Sequence, residues 1–308
     1  MRVLSSFFTA LTVLVAGPFL RADAPVLKAG DVIAFVGGED MVVAAEYGRL
    51  ELLLVRALPG HGLKFRSLAW EGDTVFAQWR ELNYPTLEQQ LDEIAATVVI
   101  AQFGQMESMA GPARLREFTA AYEKLIDRIA GGGKRRVVLL GPTPVSGGLP
   151  ASSRFKSIEA YADAVREVAG RRGLPCIIPD DGPTLAASSY WDGLHLNEEG
   201  HNIIAARVAS LFGVKARPDD APSTDELRLA DAIRAKNRLW FHYARPQNWA
   251  FLNGDRTVQP SSRDHIDPSK RWFPEEMKRW LPLVAAKEAE IQALAAKAAG
   301  GASTKETK

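Results

Sequence analysis

Short apolar runs alternate with segments of helical periodicity along most of the chain, and this alternation constrains the fold more than any other feature. The apolar runs occupy five positions, at residues 32–36, 63–68, 98–101, 135–140 and 174–179. Helical periodicity occupies the segments between and after them, at 44–58, 87–96, 112–130, 158–169 and from Asn197 to about residue 211. This alternation predicts an α/β domain in which helices cover both faces of a five-stranded parallel sheet.

Two further segments flank this domain. Residues 1–24 combine a positive Arg2, an apolar stretch over 3–20 and small residues at a cleavage position. This pattern is typical of a secretory signal peptide and predicts a secreted or periplasmic protein, attached to a membrane only if the segment stays uncleaved. The polar segment VKARPDDAPSTDE predicts a linker, so we expect the domain over 25–215 and a mainly helical C-terminal extension over 216–308.

Four tryptophans lie in the predicted extension, and their spacing is too irregular for one helix face. We expect large aromatic side chains of this kind to fix the extension onto the main domain. The alternative is a surface on which a sugar or another ligand stacks. The four residues are Trp240, Trp249, Trp272 and Trp280.

The charge balance and the cysteine content exclude several classes of partner and cofactor. Lys and Arg together number 38 and Asp and Glu 37, so the net charge of +1 gives no reason to expect a nucleic-acid partner. Cys176 is the only cysteine, which excludes an intramolecular disulfide and a zinc site built from several cysteines. No motif indicates a cofactor or a metal.

The segment YWDGLHLNEEGH carries the strongest chemical signal. Asp192 and His195 lie three residues apart, after the last predicted strand and before the final helix of the domain. Loops at the carboxyl ends of parallel strands hold the reactive groups of open α/β sheets. A carboxylate at this spacing can fix the imidazole tautomer while the imidazole faces the edge of the sheet.

The sequence around Asp192 and His195 resembles the last motif of the SGNH hydrolases, also called GDSL-type esterases and lipases. The resemblance covers roughly residues 30–212, and it implies a flavodoxin-like α/β/α domain that hydrolyses small or glycan O-acyl esters. In that family the nucleophilic serine follows the first strand. Here the matching segment is FVGGED, with Gly38 at the family's aspartate position and Glu39 at the serine position.

Two further segments match the family's oxyanion-hole motifs. RSLAWEGDTV places Gly72 where the family's glycine donates a backbone N–H to the oxyanion. FGQMES places Met106, followed by Glu107, where the family has the asparagine that supplies a side-chain donor. The resemblance therefore implies a site that keeps Gly72 and His195 and lacks both the serine and the asparagine.

These replacements predict that ordinary ester hydrolysis is severely reduced or absent. A carboxylate at Glu39 cannot form the usual acyl-enzyme ester, and it repels an oxyanion that develops beside it. Ser67 and Ser108 lie in neighbouring loops, but neither occupies the tip of the first strand. Loss of one oxyanion donor alone typically lowers turnover about a hundred- to thousandfold.

Other roles for the same residues remain open at this stage. Glu39 is a candidate carboxylate nucleophile, with Asp192 and His195 activating water. Alternatively, Glu39, Asp40, Glu107, Asp192 and His195 form an acidic cluster that holds a divalent cation or a sugar. The two leading hypotheses are an exported hydrolase-like protein with impaired or altered catalysis and a non-catalytic protein that binds a carbohydrate or a partner.

Overall fold

The structure is a computed structural model that describes residues 26–80, 82–146, 155–181, 185–215 and 222–303. The predicted signal peptide at 1–24 lies outside these residues, as do residues 216–221 of the predicted linker. The domain boundaries at these two places therefore stay predictions. Within the described part of the chain, no helix is both long enough and apolar enough to span a membrane.

Within the described ranges, five parallel strands form the central sheet. They are β1 (Val32–Gly37), β2 (Lys64–Ser67), β3 (Val98–Gln102), β4 (Arg136–Leu140) and β5 (Cys176–Ile177). Their order across the sheet is β2-β1-β3-β4-β5. This order is that of the flavodoxin-like fold, so the predicted fold class is confirmed.

Helices lie on both faces of the sheet and continue beyond it. Those up to residue 211 are α1 (Glu39–Tyr47), α2 (Arg49–Ala57), α3 (Leu87–Glu93), α4 (Gln105–Ser108), α5 (Leu115–Ala130), α6 (Ile158–Arg172) and α7 (Glu198–Leu211). The C-terminal helices are α8 (Thr224–Ala244), α9 (Trp249–Leu252), α10 (Trp272–Lys278) and α11 (Trp280–Ser303).

The central strands are buried on both faces, which explains why their sequences are continuous apolar runs. Successive side chains of a strand point to opposite faces of the sheet. Ile33 and Phe35 of β1 accordingly belong to one core cluster and Ala34 and Val36 to the other. The two clusters fill the spaces between the sheet and the two helical layers.

The helix predicted over 44–58 is two helices that start earlier and break at Gly48. Gly48 adopts φ 65°, a left-handed conformation that favours glycine. A Cβ atom at this position would lie 2.5 Å from Cγ2 of Ile233 on α8. Gly48 therefore allows both the break between α1 and α2 and the close approach of α8.

The C-terminal helices belong to the same core as the α/β domain. Leu229 and Ile233 of α8 and Ile291 of α11 lie in the core cluster that also contains β1 residues. Nζ of the fully buried Lys236 lies 2.8 Å from Oε2 of Glu51 on α2. Trp240 is buried as well, and its indole N–H donates to the Ser67 carbonyl over 2.8 Å. The extension is thus packed into the domain along α2 and β2.

Candidate active site

The tip of β1 presents two carboxylates to the carboxyl edge of the sheet. Gly37 adopts φ 150°, and a Cβ atom there would lie 2.4 Å from the Gln102 carbonyl oxygen of β3, so the close pairing of the two strands requires glycine. Gly38 caps α1, whose first turn contains Glu39 and Asp40. The positive end of the helix dipole favours carboxylates in this position.

The loop before α7 holds Asp192 and His195 in a self-contained turn. Oδ1 of Asp192 accepts backbone N–H groups from Leu194 over 3.0 Å and from His195 over 2.8 Å. Oδ2 lies 2.7 Å from Nδ1 of His195. The backbone hydrogen bond from His195, together with the side-chain hydrogen bond to its ring, lowers the pKa of Asp192 to about 2. Asp192 is therefore ionised at neutral pH.

The other ring nitrogen of His195 faces Glu39. Nε2 lies 3.4 Å from Oε2 of Glu39, and both side chains are partly open to solvent. Burial alone lowers the pKa of His195, but the hydrogen bond to Asp192 and the charges of Glu39, Asp192 and Asp40 outweigh burial and raise that pKa. The result is an imidazole between two carboxylates, which favours its protonated form.

Asp40 lies behind Glu39 and is linked to the interior of the sheet edge. Its carboxyl group is hydrogen-bonded to the side chain of Thr143, and burial raises its pKa to about 6. The Thr143 hydroxyl also accepts a hydrogen bond from the Gln102 amide over 3.2 Å. Asp40 thus connects the first turn of α1 to β3 and to the loop after β4.

Met106 faces the cleft, whereas Glu107 holds its wall together. Met106 lines the same cleft as Gly38, Glu39 and His195, and 45% of its surface is exposed. A thioether has no proton to donate, so this side chain cannot serve an oxyanion.

Both carboxylate oxygens of the buried Glu107 are already in use. Oε1 accepts from Val75 N over 2.7 Å, and Oε2 accepts from Gly104 N over 2.9 Å. Glu107 therefore lines the cleft but does not share a set of free ligands with Glu39 and Asp192. Among the residues that the structure describes, no group of three or more His, Cys, Asp or Glu side chains is arranged to hold a metal ion.

Gly72 lies in a turn between two residues that line the cleft, Glu71 and Asp73. The turn is closed by a hydrogen bond from Asp73 N to the Trp70 carbonyl over 3.0 Å. A Cβ atom at Gly72 would meet nothing within 4 Å, so the surroundings of this glycine are open. The structure thus places Gly72 beside the cleft that contains Glu39 and His195.

Two arginines that the sequence analysis did not single out fix this turn. Arg80 forms a two-pronged ion pair with the buried Asp73, with N–O distances of 2.8 and 3.0 Å. Arg245, at the end of α8, binds both carboxylate oxygens of Glu71 over 2.9 and 2.8 Å. Arg245 lies 174 residues from Glu71 along the chain, so no local pattern could have linked the two residues.

These observations define an α/β domain of the esterase type, with a histidine–aspartate pair at the carboxyl edge of its sheet. The chain belongs to the GDSL-like lipase/acylhydrolase family, whose family model matches residues 30–203. The resemblance to SGNH hydrolases is therefore confirmed. A comparison with curated proteins finds no match.

Several solved structures are similar to this chain. A gut microbial diltiazem-metabolizing enzyme is 11% identical, with a TM-score of 0.58, and the match covers 91% of this chain and 97% of that one. An acetyl xylan esterase from Geobacillus stearothermophilus is 15% identical, with a TM-score of 0.46 and coverage of 63% and 99%. A lipase/acylhydrolase from Enterococcus faecalis is 20% identical, with a TM-score of 0.44 and coverage of 61% and 100%.

Proposed function

We propose that this protein is an exported member of its family that binds small or glycan O-acyl esters and hydrolyses them at a severely reduced rate. The observation that carries the proposal is the contact between Glu39 and His195. A carboxylate oxygen lies 3.4 Å from Nε2, at the position where the family resemblance implies a serine hydroxyl. The esterase fold remains, but the group that would attack the ester has been replaced.

The chemistry of the triad Glu39, His195 and Asp192 explains the reduced rate. A serine mechanism needs a neutral imidazole that takes the hydroxyl proton. Within the described part of the chain, Nε2 contacts the Glu39 carboxylate instead of a hydroxyl group, and the neighbouring carboxylates raise the pKa of His195. The protonated imidazole can donate to a leaving alcohol, but it cannot act as a base. The negative charge of Glu39 also disfavours an oxyanion beside it.

A non-catalytic binding protein is the second candidate. The observation that favours it is the combined change at two positions, because Met106 removes a hydrogen-bond donor in addition to the lost nucleophile. Such a protein would keep the shape of the cleft without its chemistry. The two candidates differ in whether any turnover depends on His195.

Hydrolysis of acetyl esters tests the proposal. A panel of 4-nitrophenyl acetate and acetylated sugars is incubated with the natural protein, His195→Ala, Glu39→Gln and the double variant Glu39→Ser, Met106→Asn. We expect slow turnover that His195→Ala abolishes, and turnover at least about a hundredfold faster in the double variant. Glu159→Ser, on the exposed surface of α6, is the matched control.

Two outcomes separate the remaining possibilities. Fast turnover by the natural protein that is lost in Glu39→Gln would overturn the proposal, because Glu39 would then be a working catalytic group. No turnover by the natural protein, with turnover in the double variant, would favour the binding protein.

Export is supported by the composition of residues 1–24. Fractionation of cells that express the full chain, beside a chain without residues 1–24, tests this part. We expect only the full chain outside the cytoplasm, and equal cytoplasmic retention of both chains would contradict export.

A further inference from the structure

A second depression lies between α1 and α8 and opens onto the cleft. It has a volume of about 620 Å³ and is called the side groove here, with Glu46, Tyr47, Arg238 and Phe241 among its lining residues. Glu39 and Glu71 line both the side groove and the cleft. A molecule that occupies the side groove can therefore reach the pair formed by Glu39 and His195.

The charged side chains of the side groove balance one another. Among the described residues, three carboxylates and three guanidinium groups line it: Glu39, Glu46, Glu71, Arg234, Arg238 and Arg245. A groove with no net charge gives neither an anion nor a cation an electrostatic advantage. The charge pattern therefore favours a neutral ligand that forms many hydrogen bonds.

Two of these six groups are free to bind such a ligand. Glu71 is paired with Arg245, and Arg234 with Asp231 over 2.6 Å. Glu46 lines the groove from α1 and Arg238 lines it from α8, and both are exposed. Neither forms an ion pair or a side-chain hydrogen bond within the described part of the chain. One supplies only acceptors and the other only donors, which together match the paired hydroxyls of a sugar ring.

An aromatic surface accompanies the free polar groups. Phe241 is 44% exposed, and its ring is held by the guanidinium group of Arg245, 4.8 Å from the ring centroid. Tyr47 lines the groove from α1, and its ring packs on His201 with centroids 5.2 Å apart. Rings fixed in this way offer apolar area to the C–H face of a sugar at little entropic cost.

We propose that the side groove binds a neutral saccharide, with Phe241 stacking on a sugar ring and Glu46 and Arg238 hydrogen-bonding to its hydroxyl groups. The saccharide is the part of a glycan ester that does not react. This inference rests on the proposed function in one respect: it takes from that function the orientation of the bound ester, with the acyl group toward Glu39. It assigns ligand selection to α8, a helix outside the residues matched by the family model.

Binding of unacylated sugars tests the groove without any chemistry. Xylotetraose, cellotetraose and chitotetraose are titrated into the natural protein by calorimetry, up to about 10 mM. We expect at least one to bind, with a Kd on the order of 1 mM or below. Phe241→Ala should weaken that binding at least tenfold, and Arg238→Ala severalfold.

Matched variants on the same helix control for effects on folding. Leu227→Ala removes an exposed apolar side chain of α8 and Arg228→Ala an exposed arginine, and neither residue lines the side groove. Both should bind like the natural protein. Phe241→Tyr keeps the ring and should retain binding, which distinguishes stacking from a loss of structure.

Three outcomes would overturn the inference. They are the absence of binding by all three neutral sugars, binding that Phe241→Ala and Arg238→Ala leave unchanged, and a preference for tetragalacturonate, whose charge contradicts the neutral-ligand argument. The probes carry no ester, so the hydrolysis panel can fail while the sugars bind. The reverse outcome, hydrolysis without sugar binding, would contradict only the proposal that the side groove binds a saccharide.

Discussion

The two sides of the cleft differ in how closely they follow the arrangement that the family resemblance implies. On the side of α7, Asp192 and His195 are hydrogen-bonded over 2.7 Å, as a catalytic pair requires. On the side of β1 and β3, Glu39 and Met106 offer no hydroxyl and no side-chain donor to an oxyanion. The backbone scaffold is therefore separable from the chemistry that its side chains perform.

The difference has a structural cause. Asp192 holds His195 through hydrogen bonds within one four-residue turn, so this side forms independently of the rest of the cleft. The other side depends on the tip of β1 and on the loop after β3, where Gly37 and Glu107 fix the backbone. Glu39 and Met106 differ from the serine and asparagine that the family resemblance implies, but those backbone supports are present.

The largest expected effect comes from restoring the altered side in two steps. Glu39→Ser supplies a nucleophile, and adding Met106→Asn supplies an oxyanion donor. We expect the second step to raise kcat for 4-nitrophenyl acetate about a hundred- to thousandfold over Glu39→Ser alone. Met109→Asn changes an exposed methionine just after α4 and should have no such effect. Equal rates with and without Met106→Asn would show that position 106 does not face the oxyanion.

A smaller effect concerns two carboxylates, one on each side of the cleft, whose pKa values are shifted in opposite directions. Burial raises the pKa of Asp40 from 3.8 to about 6. The folded protein therefore loses stability as the pH rises from about 4 through 6. Asp40→Asn should remove this loss, which amounts to at most about 3 kcal/mol. Urea unfolding at pH 4 and pH 7 measures it.

The pKa of Asp192 is lowered instead, to about 2, so stability is lost as the pH falls from 3.8 toward 2. Asp192→Asn should therefore lower stability above about pH 4 and remove the loss on acidification, whereas Asp40→Asn should raise stability at neutral pH. The same pH dependence in both variants would contradict the contrast between the two sides.

The smallest stability effect tests the supporting role of Glu107. Glu107→Ala leaves the N–H groups of Val75 and Gly104 without their acceptor, and we expect a loss of about 2 kcal/mol in the free energy of unfolding. Glu159→Ala, on the exposed surface of α6, should cause no comparable loss. A neutral Glu107→Ala would show that the loop after β3 holds its shape by other contacts.

Much of the fold could be predicted because the strands are buried and therefore continuous in their apolar character. The run at 98–101 corresponds to β3 within one residue, and Asn197 caps α7 as expected, accepting from Gly200 N over 3.1 Å. The break at Gly48, where a left-handed glycine ends α1, was missed because the apolar periodicity continues across it. The tryptophans led us to expect that the extension packs on the main domain, but no local pattern indicated that Leu229 and Ile233 of α8 enter its core.

The contacts of the site also divide into those that local sequence predicts and those that depend on the fold. Asp192 and His195 are close in sequence, so their hydrogen bond follows from the spacing. The contact of Glu39 with His195 could be predicted only with the family resemblance, which implies that the end of β1 and the loop before α7 are neighbours. Phe241 and Arg238 carry no motif, and only the position of α8 beside α1 places them next to the cleft.

The central claim, that Glu39 occupies the nucleophile's place against His195, is tested most directly by an NMR titration of the His195 ring. The natural protein should give a pKa above the ordinary 6.5, and Glu39→Gln should lower it. The buried His201, whose pKa burial lowers to about 4, should titrate alike in both proteins and serves as the internal control. An unchanged His195 pKa in Glu39→Gln would contradict the contact on which the proposed function rests.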